Sequence, residues 1–165
     1  MRVTFANYPN GVAGTRYTIE RMRDLAFKGS VHPDVIDAAR LIVRNVGHKD
    51  YYGEAEAIFT WVKSNIRYVR DPAGVEMVQA PWVTLQKGAG DCDDLGTLLN
   101  AMFASIGMST GFETIRSDPS SPDEFSHVYS IVKTPVGWRA ADPTVAASHF
   151  GWRPTAGVFG RKLWI

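Results

Sequence analysis

Apolar residues recur at helical spacing over the first two-thirds of the chain and at strand spacing over the last third. Ile19, Met22 and Ala26 predict a helix over 18–28, with Gly29 as its stop. Pro33 suits a first helical position, and Val35, Ala39, Ile42, Val43 and Val46 then line one face until Gly47 closes a second helix. Ala55, Ile58, Phe59 and Val62 mark a third. The strongest stripe is Leu95, Leu98, Leu99, Met102, Phe103 and Ile106, which predicts a central helix from Asp94 to the Gly107 stop.

Strand patterns are shorter. Val3 and Phe5 alternate with polar residues before Pro9-Asn10-Gly11, a strand and turn. Residues 66–70 are β-prone and end at Asp71-Pro72. The stretch from Ala73 to Gly90 is interrupted by Pro81 and glycines and reads as an irregular connection, long enough to be expected to line a site. After the central helix come strands over 111–116, 125–133 and 137–141, the last two joined by Thr134-Pro135-Val136-Gly137 as a hairpin, with a polar loop from Ser117 to Glu124. Helices first, then a central helix, then antiparallel strands make an α+β domain.

Composition sets bounds on this picture. A chain of 165 residues fits one domain, 1–165, with 45% hydrophobic and 21% charged residues in the globular range. Eighteen Lys and Arg against seventeen Asp and Glu give no basic field for nucleic acid or an anionic membrane, so neither partner is expected. One cysteine and four histidines leave no zinc spacing and no intrachain disulfide, and no signal-like apolar run opens the sequence, so a reducing cytoplasm is the expected compartment.

Chemistry concentrates at the single cysteine. Cys92 stands in Gly90-Asp91-Cys92-Asp93-Asp94 where the central helix begins, followed by Ser126-His127 and later by Asp142-Pro143. A helix start favours the thiolate, and a neighbouring imidazolium would favour it further. In the hairpin register His127 faces positions within two residues of Asp142, so a carboxylate there can hold one imidazole nitrogen while the other meets the thiol. The three aspartates are expected to point away from sulfur, with Asp91 or Asp93 as helix cap. The Cys92 N–H is one oxyanion donor, and Gln79, Gln86 and the Trp82 indole are candidates for a second. Gly90 and Ser126 are candidate substrate-binding positions beside the cysteine and histidine.

The stretch from Ile66 to Thr144 resembles the transglutaminase-like superfamily. Gly90-Asp91-Cys92-Asp93-Asp94, Ser126-His127-Val128-Tyr129 and Ala141-Asp142-Pro143-Thr144 match its three blocks in order. The similarity extends to small bacterial cysteine proteinases of this group and to short relatives in tailed phages. It implies a papain-like core, beside which the N-terminal helical layer read from the periodicity stands outside the resemblance, and a Cys-His-Asp thiol enzyme acting on amide bonds through a thioester. It also favours Gln79 as the oxyanion donor and makes protein or peptide substrates, phage structural proteins included, the expected partners. No cofactor is implied, although some members bind calcium beside the cysteine, where Asp93 and Asp94 stand.

Hydrolysis is expected over transamidation, since nothing in a domain this small is expected to exclude water. The rival is a non-enzymatic phage assembly protein that retains the fold. His32, His48 and His149 read as structural, as do Trp61, Trp138, Trp152 and Trp164, whereas Trp82 in the loop leading to Cys92 reads as part of the site.

Overall fold

The computed structural model of the chain describes residues 11–72 and 77–165. The strand and turn expected at Val3, Phe5 and Pro9-Asn10 lie outside the described residues. Four helices come first in sequence, interrupted by one short strand: α1 Val12–Ser30, α2 Pro33–Val43, α3 Tyr51–Asn65, β1 Arg67–Tyr68 and α4 Pro81–Lys87. There follow β2 Ala89–Gly90, α5 Cys92–Ser105, β3 Thr110–Arg116, β4 His127–Thr134, β5 Gly137–Ala141 and β6 Gly160–Trp164. The fold is α+β.

Helix α5 is the axis of the molecule. Every residue from Asp94 to Phe103 is buried, because α1 to α4 pack round it on one side and the sheet covers the other. One continuous core joins Leu95, Leu98, Leu99 and Phe103 of α5 to Val35 and Ala39 of α2, Ile58, Phe59 and Val62 of α3, and Val132 of the sheet. The sheet runs β5-β4-β3-β6, antiparallel throughout, and Val128, Ser130 and Val132 of β4 alternate with Tyr129 and Ile131, which face a second apolar layer on the far side. Among the described residues no helix is long and apolar enough to cross a membrane.

Three features depart from the sequence pattern. Helix α1 starts at Val12 instead of near Thr18, and its first turns stay partly or fully exposed, so no apolar stripe marks them in the sequence. Gly29 is not its stop: it lies buried inside the helix, where an added Cβ would stand 2.6 Å from Pro81 Cγ and 2.9 Å from Ala101 Cβ. The glycine lets α1, α4 and α5 meet. Gly29→Ala is therefore expected to cost about 1–3 kcal/mol by forcing those helices apart, read as a lower urea midpoint at unchanged slope.

The stretch from Ala73 to Gly90 also contains a helix where the sequence pattern shows only an irregular connection. Pro81 begins α4 instead of breaking the chain, since a first-turn N–H has no helical partner to lose, and Gly88 ends it at φ +62°. Lastly, β6 forms the outer edge of the sheet beside β3. Its Arg161, Lys162 and Leu163 are exposed, so no alternating apolar pattern marks it.

Candidate active site

Cys92 is the first residue of α5, and a capping box closes the helix start around it. Asp91 Oδ1 accepts the N–H of Asp93 at 3.0 Å and of Asp94 at 3.1 Å, while Asp94 Oδ2 accepts the Asp91 N–H at 3.3 Å. Asp94 is buried and also receives the main-chain N–H of Gln79 at 2.7 Å and the Gln79 amide. Two stretches of chain, 77–80 and 89–91, are thereby tied to the helix that carries the thiol. Gly90 fits this packing for a steric reason, since a Cβ there would stand 2.5 Å from Asp94 Cβ.

The thiol is partly buried. Cys92 Sγ lies 3.5 Å from Asp93 Oδ1, to which it donates, and the side chain packs against the apolar cluster that holds Val128, the residue after His127. Burial first, then the charges of Asp93 and Asp91, push its pKa well above the ordinary thiol value, against a smaller lowering by Val128. This corrects two expectations. Asp93 faces the sulfur instead of turning away, and burial, with the nearby carboxylate charges behind it, favours the thiol at rest over the thiolate that a helix start would favour. Asp93→Asn is expected to raise the iodoacetamide alkylation rate of Cys92 at pH 7 by about threefold to tenfold, as removal of the adjacent charge lowers the thiol pKa. The rise of rate with pH should begin at lower pH in the variant.

His127 opens β4 and Asp142 follows β5, and the hairpin register that joins them is the expected one. His127 Nε2 lies 2.8 Å from Asp142 Oδ2. Asp142 is fully buried, and its other oxygen accepts from Thr144 Oγ1 at 2.7 Å and Thr144 N at 3.1 Å. Burial alone would raise the Asp142 pKa, but the hydrogen bond and charge of His127, with the Thr144 donors, outweigh it and hold the carboxyl below its ordinary value. The imidazole is 19% exposed, open enough for a reacting group to reach. With Nε2 committed, Nδ1 is the nitrogen left for the thiol, and no hydrogen bond joins it to Sγ at rest among the described residues. Sequence reasoning missed Thr144 as the holder of Asp142, although an Asx-turn from Asp to a threonine two residues on was a readable signal.

The remaining expected site residues are placed differently. Gln79 is not aimed at an oxyanion: its Nε2 donates to Asp94 and, at 3.4 Å, to Ala89 O, so both amide hydrogens are spent within the scaffold. Gln86 is exposed on α4 and its side chain makes no hydrogen bond among the described residues. Trp82 stacks on His32 with ring centroids 4.5 Å apart and planes 9° off parallel, packing α4 against the start of α2. Ser126 pins the ends of the 117–126 loop by bonding Ser117 N at 3.0 Å and Ser117 Oγ at 2.9 Å. The Cys92 N–H, at the first position of α5, has no carbonyl of its own helix to meet and stays available to an oxyanion.

The calcium expectation does not fit either. Both Asp94 oxygens are turned to N–H donors in the interior, which leaves, among the described residues, Asp91, Cys92 and Asp93 as the group whose ligand atoms lie within 4.8 Å of one another. Two carboxylates and a thiol fall well short of the six to eight oxygens calcium takes.

Similarity to known proteins follows the same residues. The family model described as the transglutaminase-like superfamily matches residues 39–143, which includes Cys92, His127 and Asp142 and leaves α1 and β6 outside. Among solved structures, a candidate cysteine protease from Cytophaga hutchinsonii is similar at TM-score 0.56 and 17% identity, over 78% of this chain and 42% of that one. A candidate protease from Parabacteroides distasonis is similar at TM-score 0.62 and 15% identity, over 86% of this chain and 27% of that one. The chain thus spans less than half the length of either. No curated protein matches the sequence. A family match over well more than half of the chain, on a fold whose central helix begins at the cysteine and whose hairpin joins the histidine to the aspartate, shows that this protein belongs to the transglutaminase-like superfamily.

Proposed function

We propose that the protein is a thiol-dependent hydrolase of peptide or isopeptide bonds, with Cys92 as nucleophile, His127 as general base and acid, and Asp142 as its orienter. The observation that carries this reading is the bond from His127 Nε2 to a fully buried Asp142, which commits one imidazole nitrogen and leaves Nδ1 as the one free to act on Cys92. The candidate proteases among the similar structures support the same class.

Because the resting sulfur is protonated, the reaction starts with a proton transfer. A substrate carbonyl enters with its oxygen toward the Cys92 N–H, Sγ gives its proton to His127 Nδ1, and sulfur bonds to the carbonyl carbon. Asp142 stabilises the imidazolium that forms. His127 then returns the proton to the leaving amine as the C–N bond breaks, which leaves a thioester on Cys92. A water molecule, deprotonated by His127, adds to the thioester, and sulfur leaves with the proton. The partly exposed Cys92 and His127 admit water to that last step, which favours hydrolysis over transfer to an amine.

The test uses a peptide library digested from a bacterial proteome, incubated with wild type and with Cys92→Ser, with new N termini mapped by mass spectrometry. Termini that appear with wild type alone are the expected result. A primary amine added at high concentration would appear on the new C termini if the thioester is shared between amine and water. No Cys92-dependent cleavage and no amine incorporation would overturn the proposal.

A further inference from the structure

Asp142 is held by more than its carboxylate contacts. The loop that leaves it, residues 143–148, folds back round the side chain of Lys63 in the last turn of α3. Lys63 Nζ donates to Val145 O at 2.9 Å, Ala146 O at 3.0 Å and Ser148 Oγ at 2.9 Å, and also to Ser148 O. Ser148 Oγ in turn spends its one proton on the main-chain carbonyl of Asp142 at 2.6 Å. The ammonium has no carboxylate within 4.0 Å among the described residues, so its charge is met by main-chain carbonyls and one hydroxyl of this loop. Hydrogen bonds from a cation to neutral acceptors are strong when several converge, and here all of them belong to one short segment.

We propose that Lys63 is a positioning residue for Asp142, which acts by gathering the 145–148 carbonyls and, through Ser148 Oγ, fixing the backbone from which the Asp142 carboxylate reaches His127. The proposal rests on the reading of His127 and Asp142 as catalytic partners. The shape of the ammonium suits this role, because a compact donor with protons in three directions matches converging acceptors where a planar guanidinium would not. Loss of the ammonium lets the loop relax, lengthens the Nε2 to Oδ2 bond and weakens the hold on the imidazolium. A displacement of this kind lowers kcat by about tenfold to a hundredfold while leaving substrate binding alone.

The experiment compares wild type, Lys63→Met, which keeps the length of the stem, and Ser148→Ala, which keeps the lysine and its carbonyl contacts but cuts the link to Asp142. Each is examined for the His127 Nε2–H resonance by NMR, and for kcat and KM on a peptide cleaved by wild type. The expected result is a shifted Nε2–H resonance in both variants, with kcat reduced and KM unchanged. A lower Tm with resonance and kcat both as in wild type would overturn the inference and leave Lys63 a structural residue. If wild type cleaves nothing, the functional reading fails, while the resonance still decides the role of Lys63. Should Lys63→Met not fold, Ser148→Ala carries the same measurements.

Discussion

Replacing Asp142 by asparagine is expected to lower kcat by about ten-thousand-fold, the scale seen when an orienting carboxylate is lost and the imidazole adopts the wrong tautomer. An amide in this position is harmless only if its oxygen faces the histidine, and the surroundings forbid that. Thr144 N can only donate, and with Thr144 Oγ1 it bonds the Oδ1 position. An asparagine therefore turns its oxygen to Thr144 and its NH2 to His127 Nε2. Nε2 must then accept, the ring proton moves to Nδ1, and the nitrogen needed as base is already protonated. Cleavage kinetics give the rate, and the nitrogen shifts of His127 report the tautomer. A variant within tenfold of wild type would remove Asp142 from the mechanism.

The same substitution has a signature in stability. The Asp142 carboxyl lies below its ordinary value in the folded protein, so it binds fewer protons folded than unfolded. Its contribution is therefore present above the unfolded value of about 4 and is lost as pH falls through the lower folded value. Asp91 works in the opposite sense. Burial, and behind it the nearby Asp94 and Asp71 charges, raise its pKa to about 6, so its folded form takes up a proton first and stability from this group grows as pH falls from there toward 4. Thermal melts of wild type and Asp142→Asn should converge as pH drops below about 4, since only wild type has that carboxylate to lose.

How far this site is legible in the sequence depends on the range of the forces that build it. The α5 stripe is legible because Leu95, Leu98, Leu99, Met102 and Phe103 recur at the helical period within one core cluster, and the His127–Asp142 pairing follows from hairpin register across 15 residues. Both are local. The place of Gln79 before Pro81 suggests an oxyanion donor, but its amide is captured by Asp94, a preference set by a buried carboxylate in need of donors. Trp82 likewise answers to His32, fifty positions earlier, which no spacing rule connects. Lys63 reaches acceptors 82 to 85 residues away and looks in sequence like any surface lysine. Helix α4 and strand β6 leave no periodic trace because the first is only seven residues long and opens on a proline, and the second is an exposed edge. The thiol differs from the expectation for another reason. Its neighbours are all visible in the sequence, but the helix-end field is opposed by burial and by carboxylates whose direction only the fold decides.

Asp94→Asn is expected to destabilise the protein by about 3 kcal/mol, although it changes one atom and removes a charge. Both carboxylate oxygens face only N–H groups: the Gln79 main chain on Oδ1, and the Gln79 amide and Asp91 main chain on Oδ2. Whichever way an asparagine turns, its NH2 meets a donor in the interior. With NH2 at the Oδ1 position it confronts Gln79 N, which cannot move without the chain. With NH2 at the Oδ2 position, flipping Gln79 would bring its otherwise unpartnered Oε1 into use, but Asp91 N would still face a donor and Ala89 O would lose Nε2. Either choice leaves a partly buried N–H unmet, in the second case at the residue before Cys92. For a chain of this length the expected drop in Tm is roughly 6–12 °C. Gln79→Ala, which keeps the carboxylate and both main-chain donors, should cost only about 1 kcal/mol. Equal losses in the two variants would mean that packing against Gly90, and not the hydrogen bonds, is what fixes Asp94 beneath the thiol.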